Sequence, residues 1–232
     1  KDGIQQLGRY VIRPMSLAMD RNHEVPEPFL RNFMKLASGF RSTDAGEMIE
    51  EPDPSKPRDP SKPVETNRTA AVGAEELAWA DAAMLLCMPG PGLGGPPVRA
   101  TGTLEQKRRF FGVFRGMESG PLQWGAYALT EPNAGSDVAG IRTSCRKEGS
   151  DWVLNGRKCY ITNGARAAWT VVFATVDPKL GRAGHRAFVV EKGTPGFSVG
   201  KIEEKIGLRA NETAELVLED CRVSGANLLG GE

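Results

Sequence analysis

The hydrophobic pattern changes from helical to strand-like near residue 122, and this change limits the folds open to the chain. Before it, Ile4, Leu7 and Val11 recur at spacings of three and four residues, which places them on one helical face. After it, short β-branched runs are separated by Gly, Pro and Asn, with no long helical pattern between them. We therefore predict an α+β fold, with an N-terminal all-α domain over residues 1–122 followed by a mainly antiparallel, β-barrel-like domain over residues 123–232.

Four helical stretches are predicted in the first domain. The first is kinked or divided at Pro14, because a proline ring clashes with the preceding helical turn. Thr103 and Gln106 have the spacing of a capping box, in which each side chain bonds the backbone N–H of the other residue. The remaining helices are predicted over 28–37, over 70–88 (long and mostly buried) and from Thr103 through Phe114.

Two breaks separate these helices. The pentapeptide DPSKP occurs at 53–57 and again at 59–63, and such a charged, Pro-rich duplication cannot bury apolar surface. We therefore predict that residues 48–66 form an extended, mobile loop. The second break contains Gly90–Gly95, which formally matches the dinucleotide motif G-x-G-x-x-G. That motif must follow a strand and open a helix, whereas this segment follows a helical pattern and runs into two prolines, so an irregular loop is predicted.

Strands are predicted throughout the second domain. Residues 152–154 and 158–161 flank Asn155-Gly156, a dipeptide that tolerates the positive φ angles of a tight turn, and the segment therefore predicts a β-hairpin. Further β-branched runs cover 170–176, 187–190 and 216–218.

Composition excludes several classes of function. The 232 residues carry a formal net charge of +1, so no global field attracts the chain to nucleic acid or to an acidic membrane. No apolar run reaches the roughly 18–20 residues that a membrane span needs, and a cytoplasmic location is predicted. The sequence starts without an initiator Met, so we expect the native start to be missing. Four scattered cysteines are expected to be reduced, and the two histidines suggest neither a metal site nor a Ser-His-Asp triad.

The segment Ala128–Gly140 is a polar, Gly-containing loop whose hydroxyls and backbone N–H groups suit a phosphate or the edge of a heteroaromatic ring. Taken alone, such a loop is more often a turn. It resembles the signature of the acyl-CoA dehydrogenase family, and 160–164, 193–197 and 207–209 follow in the family's order. The signature positions that agree include Thr130, Glu131, Gly135, Ser136, Asp137 and Gly140.

The resemblance implies an FAD site. By this resemblance Tyr127, Leu129 and Thr130 line the isoalloxazine ring, Gly135 allows close backbone approach, and Ser136 contacts FAD or the CoA part of the substrate. Tyr160 packs against the ring, with Ile161 beside it, and the Thr162 hydroxyl points at N5. Without the resemblance, Tyr160 is better interpreted as a core aromatic of the hairpin. Family members usually have Trp or Phe there.

The resemblance also implies a reaction, the α,β-dehydrogenation of an acyl-CoA thioester in fatty acid metabolism. The family takes its catalytic base from a C-terminal helical domain that this sequence lacks, so no catalytic residue is assigned. The implied partners are acyl-CoA, an acceptor of the electron-transfer flavoprotein type, and further subunits in a homo- or hetero-oligomer, a tetramer by resemblance. Two alternatives stay open: a short non-catalytic subunit that pairs with a full-length relative, and a flavin-dependent oxidase or oxygenase.

One basic loop has two interpretations. Lys179, Arg182, His185 and Arg186 cluster between two predicted strands. By resemblance this loop lies near the CoA nucleotide and contacts a phosphate, but a solvated turn explains the same residues.

Overall fold

The computed structural model describes residues 2–38 and 65–231. The helices are α1 (Asp2–Leu7), α2 (Arg13–Asn22), α3 (Glu27–Ser38), α4 (Glu65–Cys87), α5 (Gly95–Thr101) and α6 (Leu104–Gly112). The strands are β1 (Gly125–Ala128), β2 (Ser144–Glu148), β3 (Asp151–Thr162), β4 (Trp169–Thr175), β5 (His185–Glu191), β6 (Phe197–Ile202), β7 (Thr213–Ser224) and β8 (Leu228–Leu229). The predicted α+β fold is confirmed, while its division into two domains at residue 122 stays a prediction.

The sheet is open, so the barrel-like closure predicted from the sequence is wrong. Its strand order is β6-β7-β3-β2-β4-β5-β8, and β1 pairs with β4 in parallel. Most other pairs are antiparallel, but β2 and β4 meet in parallel at Ser144 and Thr175. The six-residue β6 lies at one edge of the order and the two-residue β8 at the other, and these two strands do not pair with each other.

The predicted hairpin at Asn155-Gly156 is also wrong, because β3 runs straight through this dipeptide. The Asn155 side chain exchanges hydrogen bonds with Asp220 of β7, which keeps it in the ladder instead of a turn. Gly156 has φ 154°, and a Cβ there would lie 2.5 Å from the Thr143 hydroxyl. The glycine therefore serves a close backbone approach inside a bulged strand.

The helical predictions hold in outline but differ in detail. A π-helical turn at Gly8–Ile12 precedes α2, which has Pro14 in its first turn, so the regular α-helix is interrupted next to the proline while the backbone stays helical. The Thr103–Gln106 capping box forms in full, although α6 ends at Gly112 and not at Phe114.

The long helix α4 departs most from its prediction. It is broken at Asp81, whose carboxylate accepts hydrogen bonds from the Ser16 hydroxyl and from the backbone N–H of Ala83. It is also not mostly buried, since Val72, Trp79 and Leu85 are all exposed. Of the predicted loop 48–66, residues 48–64 lie outside the described residues, and Glu65 and Thr66 already belong to α4.

Trp169 joins the helices to the sheet. It is buried at the start of β4, and its indole N–H donates to the Phe110 carbonyl of α6 at 2.8 Å. The rings of Phe110 and Phe114 meet it edge-on, with centroids 6.2 and 5.6 Å away. Because aromatic side chains bury large areas, this cluster orients α6 against the sheet.

The G-x-G-x-x-G segment is not a dinucleotide motif, because α4 precedes it and no strand does. The predicted irregular loop is nevertheless partly wrong, since Gly92–Gly94 forms a 3-10 turn that continues into α5. A Cβ on Gly94 would lie 2.4 Å from the Ala126 carbonyl oxygen and 2.6 Å from the Trp169 ring. The glycine thus lets this turn lie directly against β1.

We expect Gly94→Ala to lower the free energy of unfolding by about 1–3 kcal/mol, because the added methyl group must displace backbone or the Trp169 ring. Urea unfolding measures the change. The control is Gly112→Ala at the end of α6, where a Cβ meets nothing within 4 Å and stability should be unchanged or higher. Equal stability of the two variants would contradict the close packing.

Candidate functional site

A cleft of about 140 Å³ opens between β1, the end of β3 and the turn that carries Leu93. It brings together five of the eight residues predicted to hold a cofactor, although they come from separate segments of the chain. The lining residues are Leu93, Gly125, Ala126, Tyr127, Thr130, Tyr160, Ile161, Thr162 and Asn163.

The other three predicted residues lie outside the cleft lining. Leu129 is half-buried, and its carbonyl accepts a hydrogen bond from Lys158. Gly135 and Ser136 are exposed on the loop beyond Thr130. A Cβ on Gly135 would meet nothing within 4 Å, so the space beside this backbone is open.

A larger cleft, of about 570 Å³, lies between α1 and α4 but holds none of the predicted site residues. It is lined mainly by long polar side chains, and one of them, Gln5, donates to Glu76 across it. Volume alone therefore does not identify the functional site.

One edge of β1 faces the cleft with backbone groups available. The strand pairs with β4 on one side, while on the other side its pairing ends where Gly125 N–H donates to the Gly90 carbonyl at 2.8 Å. Beyond this bond, the strand edge offers backbone donors and acceptors. A planar heterocycle with polar atoms along one edge can form hydrogen bonds with such a strand edge, in the same way as an additional β-strand does.

Two tyrosines lie on the cleft wall. Tyr160 is 67% exposed and has φ 58°, at a register shift of β3 between Lys158 and Ile161. It is therefore not the core aromatic that the hairpin interpretation requires, because the bulge turns its ring toward solvent. Tyr127 packs on Phe173 with ring centroids 5.2 Å apart, and burial raises the pKa of its phenol.

A buried ion pair lies behind the cleft. The Lys158 ammonium, with a fully buried side chain, donates to Glu131 Oε1 at 2.6 Å and to the Leu129 carbonyl at 3.1 Å. Glu131 also accepts the backbone N–H groups of Arg142 and Thr143, at 2.7 and 2.9 Å. Every charged group of the pair is thus hydrogen-bonded, which is what burial of charge requires.

The environment acts on both pKa values of this pair. Burial raises the pKa of Glu131, but the hydrogen bonds from Lys158, Thr143 and Arg142 outweigh it and hold that pKa below its usual value. Burial lowers the pKa of Lys158, and Glu131 offsets part of this effect. The carboxylate accepts hydrogen bonds from three donors, so the ionised form of Glu131 is stabilised more strongly than the ionised form of Lys158.

Asn163 connects the cleft to the helices. Its backbone has φ 59°, its side-chain amide donates to the Leu86 carbonyl at 3.0 Å, and its amide oxygen accepts from Arg166 at 2.5 Å. The Arg166 guanidinium stacks on Trp124, 4.4 Å from the ring centroid. Asn163 therefore holds the end of β3, and with it Thr162, against α4.

Sequence reasoning assigned no role to Glu131, Lys158 or Asn163. Lys158 carried a usable signal, since a lysine in the predicted strand 158–161 needs a buried anion if that strand is central. Nothing in the spacing of residues 131 and 158 indicates that they meet.

The basic loop contributes fewer cations than its sequence suggests. Burial lowers the pKa of His185, and nearby Lys158 and Arg182 lower it further. The Arg186 guanidinium donates to the carbonyls of its own loop, at His185 and Ala183. Lys179 and Arg182 are exposed, so these two remain able to meet an anion.

The residues present fit a flavin ring. The cleft combines the apolar Leu93 and Ile161, an open strand edge, and the hydroxyls of Thr130 and Thr162. No carboxylate lines it among the described residues. Within residues 2–38 and 65–231, no three His, Cys, Asp or Glu side chains are grouped to hold a metal ion. None of the helices described in those ranges is long and apolar enough to cross a membrane.

The sequence matches known proteins over the region that forms this cleft. Residues 126–221 match the family model described as acyl-CoA dehydrogenase, middle domain. The chain is 52% identical over 133 residues to an acryloyl-CoA reductase (NADH) of Anaerotignum propionicum, covering 56% of this chain and 33% of that one. It is 43% identical over 134 residues to the mitochondrial short-chain specific acyl-CoA dehydrogenase of Mus musculus, and this alignment covers 58% of this chain and 32% of that one. The alignments thus span about a third of each relative.

Solved structures resemble the whole described fold. Butyryl-CoA dehydrogenase from Megasphaera elsdenii matches with a TM-score of 0.77 and 31% identity, over 99% of this chain and 57% of that one. The prolyl acyl carrier protein oxidase AnaB matches with a TM-score of 0.75 and 29% identity, over 100% of this chain and 57% of that one. A glutaryl-CoA dehydrogenase from Mycobacterium smegmatis in complex with FADH2 matches with a TM-score of 0.72 and 27% identity, over 97% of this chain and 53% of that one.

We expect Glu131→Gln to lower the free energy of unfolding by about 3–5 kcal/mol at neutral pH, because Lys158 keeps a buried charge without its carboxylate. The pKa of Glu131 is lower in the folded chain, so the carboxylate stabilises the fold above its ordinary pKa and this contribution is lost as the pH falls through the folded-state value. The difference between wild type and variant in urea unfolding should therefore shrink below pH 4.5.

The matched control is Glu148→Gln. Glu148 pairs with Arg146 and Arg222 on the exposed face of the sheet. Water screens such pairs, so this variant should change stability much less. Equal losses of stability in the two variants would show that the Glu131–Lys158 pair contributes no more to stability than a solvent-exposed pair.

Proposed function

We propose that this chain, whose residues 126–221 match the middle domain of acyl-CoA dehydrogenases, forms the flavin side of an active site that oxidises acyl-CoA between its α and β carbons. One observation carries the proposal: five residues that resemblance assigns to the flavin line a single cleft, together with the open edge of β1. The likeness to a glutaryl-CoA dehydrogenase in complex with FADH2 supports FAD as the cofactor. Bound FAD supplies the hydride acceptor.

The residues of this chain bind and orient that ring. The Thr130 hydroxyl and the backbone edge of β1 bond its polar rim, and the half-buried Thr162 provides a hydroxyl for N5. Tyr160 covers one face of the ring, and its exposure leaves it free to stack there. Gly135 and Ser136, on the loop beyond the cleft, are proposed contacts of FAD or of the CoA part of the substrate.

The base that removes the α-proton comes from outside the described residues, since no carboxylate among them lines the cleft. Glu212 lies near Asn163, but its carboxylate bonds the backbone N–H groups of Ala165 and Arg166. Burial raises the pKa of Glu212, while those same N–H groups oppose the shift. Its role is therefore to cap the turn after β3.

The partners and the location are further proposals. Acyl-CoA is the substrate, an electron-transfer flavoprotein is the acceptor, and the protein is an oligomer, a tetramer by resemblance. The domain boundary at residue 122 and the cytoplasmic location belong to the same proposal.

A flavin-dependent oxidase of the same fold is the second candidate function. The TM-score of 0.75 to AnaB, a prolyl acyl carrier protein oxidase, favours it. Release of peroxide on adding substrate in air would identify an oxidase, whereas anaerobic bleaching that awaits an added acceptor identifies a dehydrogenase. A colourless chain that purifies with a longer relative would indicate the non-catalytic subunit.

We expect the protein, purified together with the element that supplies the base, to bind FAD, quench its fluorescence, and lose the visible flavin absorbance when a short-chain acyl-CoA is added without oxygen. In Thr162→Val the rate of this bleaching should fall roughly tenfold, because the hydroxyl that orients N5 is lost. Stopped-flow absorbance measures the rate.

The matched control is Thr101→Val, since the Thr101 hydroxyl bonds the Pro97 carbonyl at the end of α5 and lies outside the cleft. An equal rate in Thr162→Val and wild type would remove the proposed role of that hydroxyl. A wild-type protein that binds no FAD would overturn the proposed function itself.

We expect Arg182→Gln to weaken acyl-CoA binding roughly threefold to tenfold at low salt, because an exposed guanidinium is replaced where a CoA phosphate is proposed. Isothermal titration with and without added salt measures the effect. Arg115→Gln, an exposed arginine after α6, is the control. Unchanged affinity in Arg182→Gln would identify the loop as a solvated turn.

A further inference from the structure

The buried Glu131–Lys158 pair connects the two segments that form the flavin cleft. Glu131 directly follows Thr130, and Lys158 lies two residues before Tyr160. Thr130 and Tyr160 both line the cleft, so each member of the pair lies within two residues of a cleft residue. The charged atoms of the pair are themselves buried.

Its hydrogen bonds fix the backbone on both sides. Lys158 donates to the Leu129 carbonyl at 3.1 Å, and the next residue, Cys159, donates its backbone N–H to the Thr130 carbonyl at 3.0 Å. These two bonds set the distance from β1 to β3 directly under the cleft. A shift of either would move the Thr130 hydroxyl relative to Tyr160.

Glu131 also fastens the loop that leaves Thr130. Its carboxylate accepts the N–H groups of Arg142 and Thr143 from the far end of the loop, and its backbone exchanges two hydrogen bonds with Ala134. A single side chain therefore closes residues 131–143 into a unit that is attached to β3 through Lys158.

A fully buried ion pair is an expensive way to obtain stability, because well-packed apolar residues often serve as well or better. What apolar residues lack is a set of directional bonds to Leu129, Arg142 and Thr143. We propose that Glu131 and Lys158 are positioning residues of the flavin site, which hold the loop and the end of β3 at the separation that binds the ring. This inference rests on the proposed function.

Three variants of the whole chain test the inference: Glu131→Gln, Lys158→Met, and the two combined. Each single variant should lower stability and weaken FAD binding roughly tenfold or more, because a displacement of about 1 Å is enough for such a loss. The double variant removes both charges and should recover much of the stability. Its FAD affinity should stay low, since methionine offers no donor to the Leu129 carbonyl.

The matched control is Val223→Ala. Val223 is buried and pairs with Trp152 at the opposite end of β3 from the cleft. This variant should lose stability but keep FAD affinity within about twofold of wild type, because the cleft geometry is untouched. Fluorescence titrations are made at a temperature at which circular dichroism shows every variant folded.

Amide hydrogen exchange without flavin gives a second readout. Exchange in 129–143 and 159–162 should accelerate in Glu131→Gln but not in Val223→Ala. If wild type binds no FAD, the proposed function fails and the positioning role fails with it, even where exchange responds as expected. If wild type binds FAD but the double variant recovers affinity together with stability, the pair is only structural and the inference alone is overturned.

Discussion

The ion pair between Glu131 and Lys158 determines how the loop of residues 131–143 meets the sheet. A lysine in the middle of a central strand must find an anion, because an unpaired buried ammonium is far too costly. A glutamate that begins a polar loop supplies that anion and in return bonds two backbone N–H groups of the loop's far end. The separation of β1 and β3, and hence the cleft between them, follows from this arrangement.

The helices complete the cleft through close backbone packing. Gly94 and Gly125 allow the turn before α5 to lie against β1, where a Cβ on Gly125 would come within 2.6 Å of the Pro91 carbonyl oxygen. Leu93 thereby becomes a wall of the cleft. From the other direction, Asn163 fastens the end of β3 to the last turn of α4. The cleft thus forms where sheet and helices meet, and both layers determine its width.

Many local features could be predicted from the sequence because they depend on neighbours in the chain. The Thr103–Gln106 capping box and the interruption of the regular α-helix near Pro14 are of this kind, since cap bonds and proline sterics act within one helical turn. Asn155-Gly156 shows where local reasoning fails. The same dipeptide that closes a tight turn here continues a strand, because Asp220 of β7 bonds the asparagine and Thr143 occupies the space beside the glycine.

The sequence by itself determined the α+β composition, most segment positions, and a family resemblance that predicts which residues meet a flavin. Only the tertiary structure decided that the sheet stays open and that Tyr160 faces solvent at a bulge. It also decided that Tyr127, Thr130, Tyr160, Ile161 and Thr162 share one cleft, and that Lys158 pairs with Glu131. The physical reason is that propensity and capping act over a few residues, whereas strand register and the pairing of buried charges depend on groups brought together from distant parts of the chain.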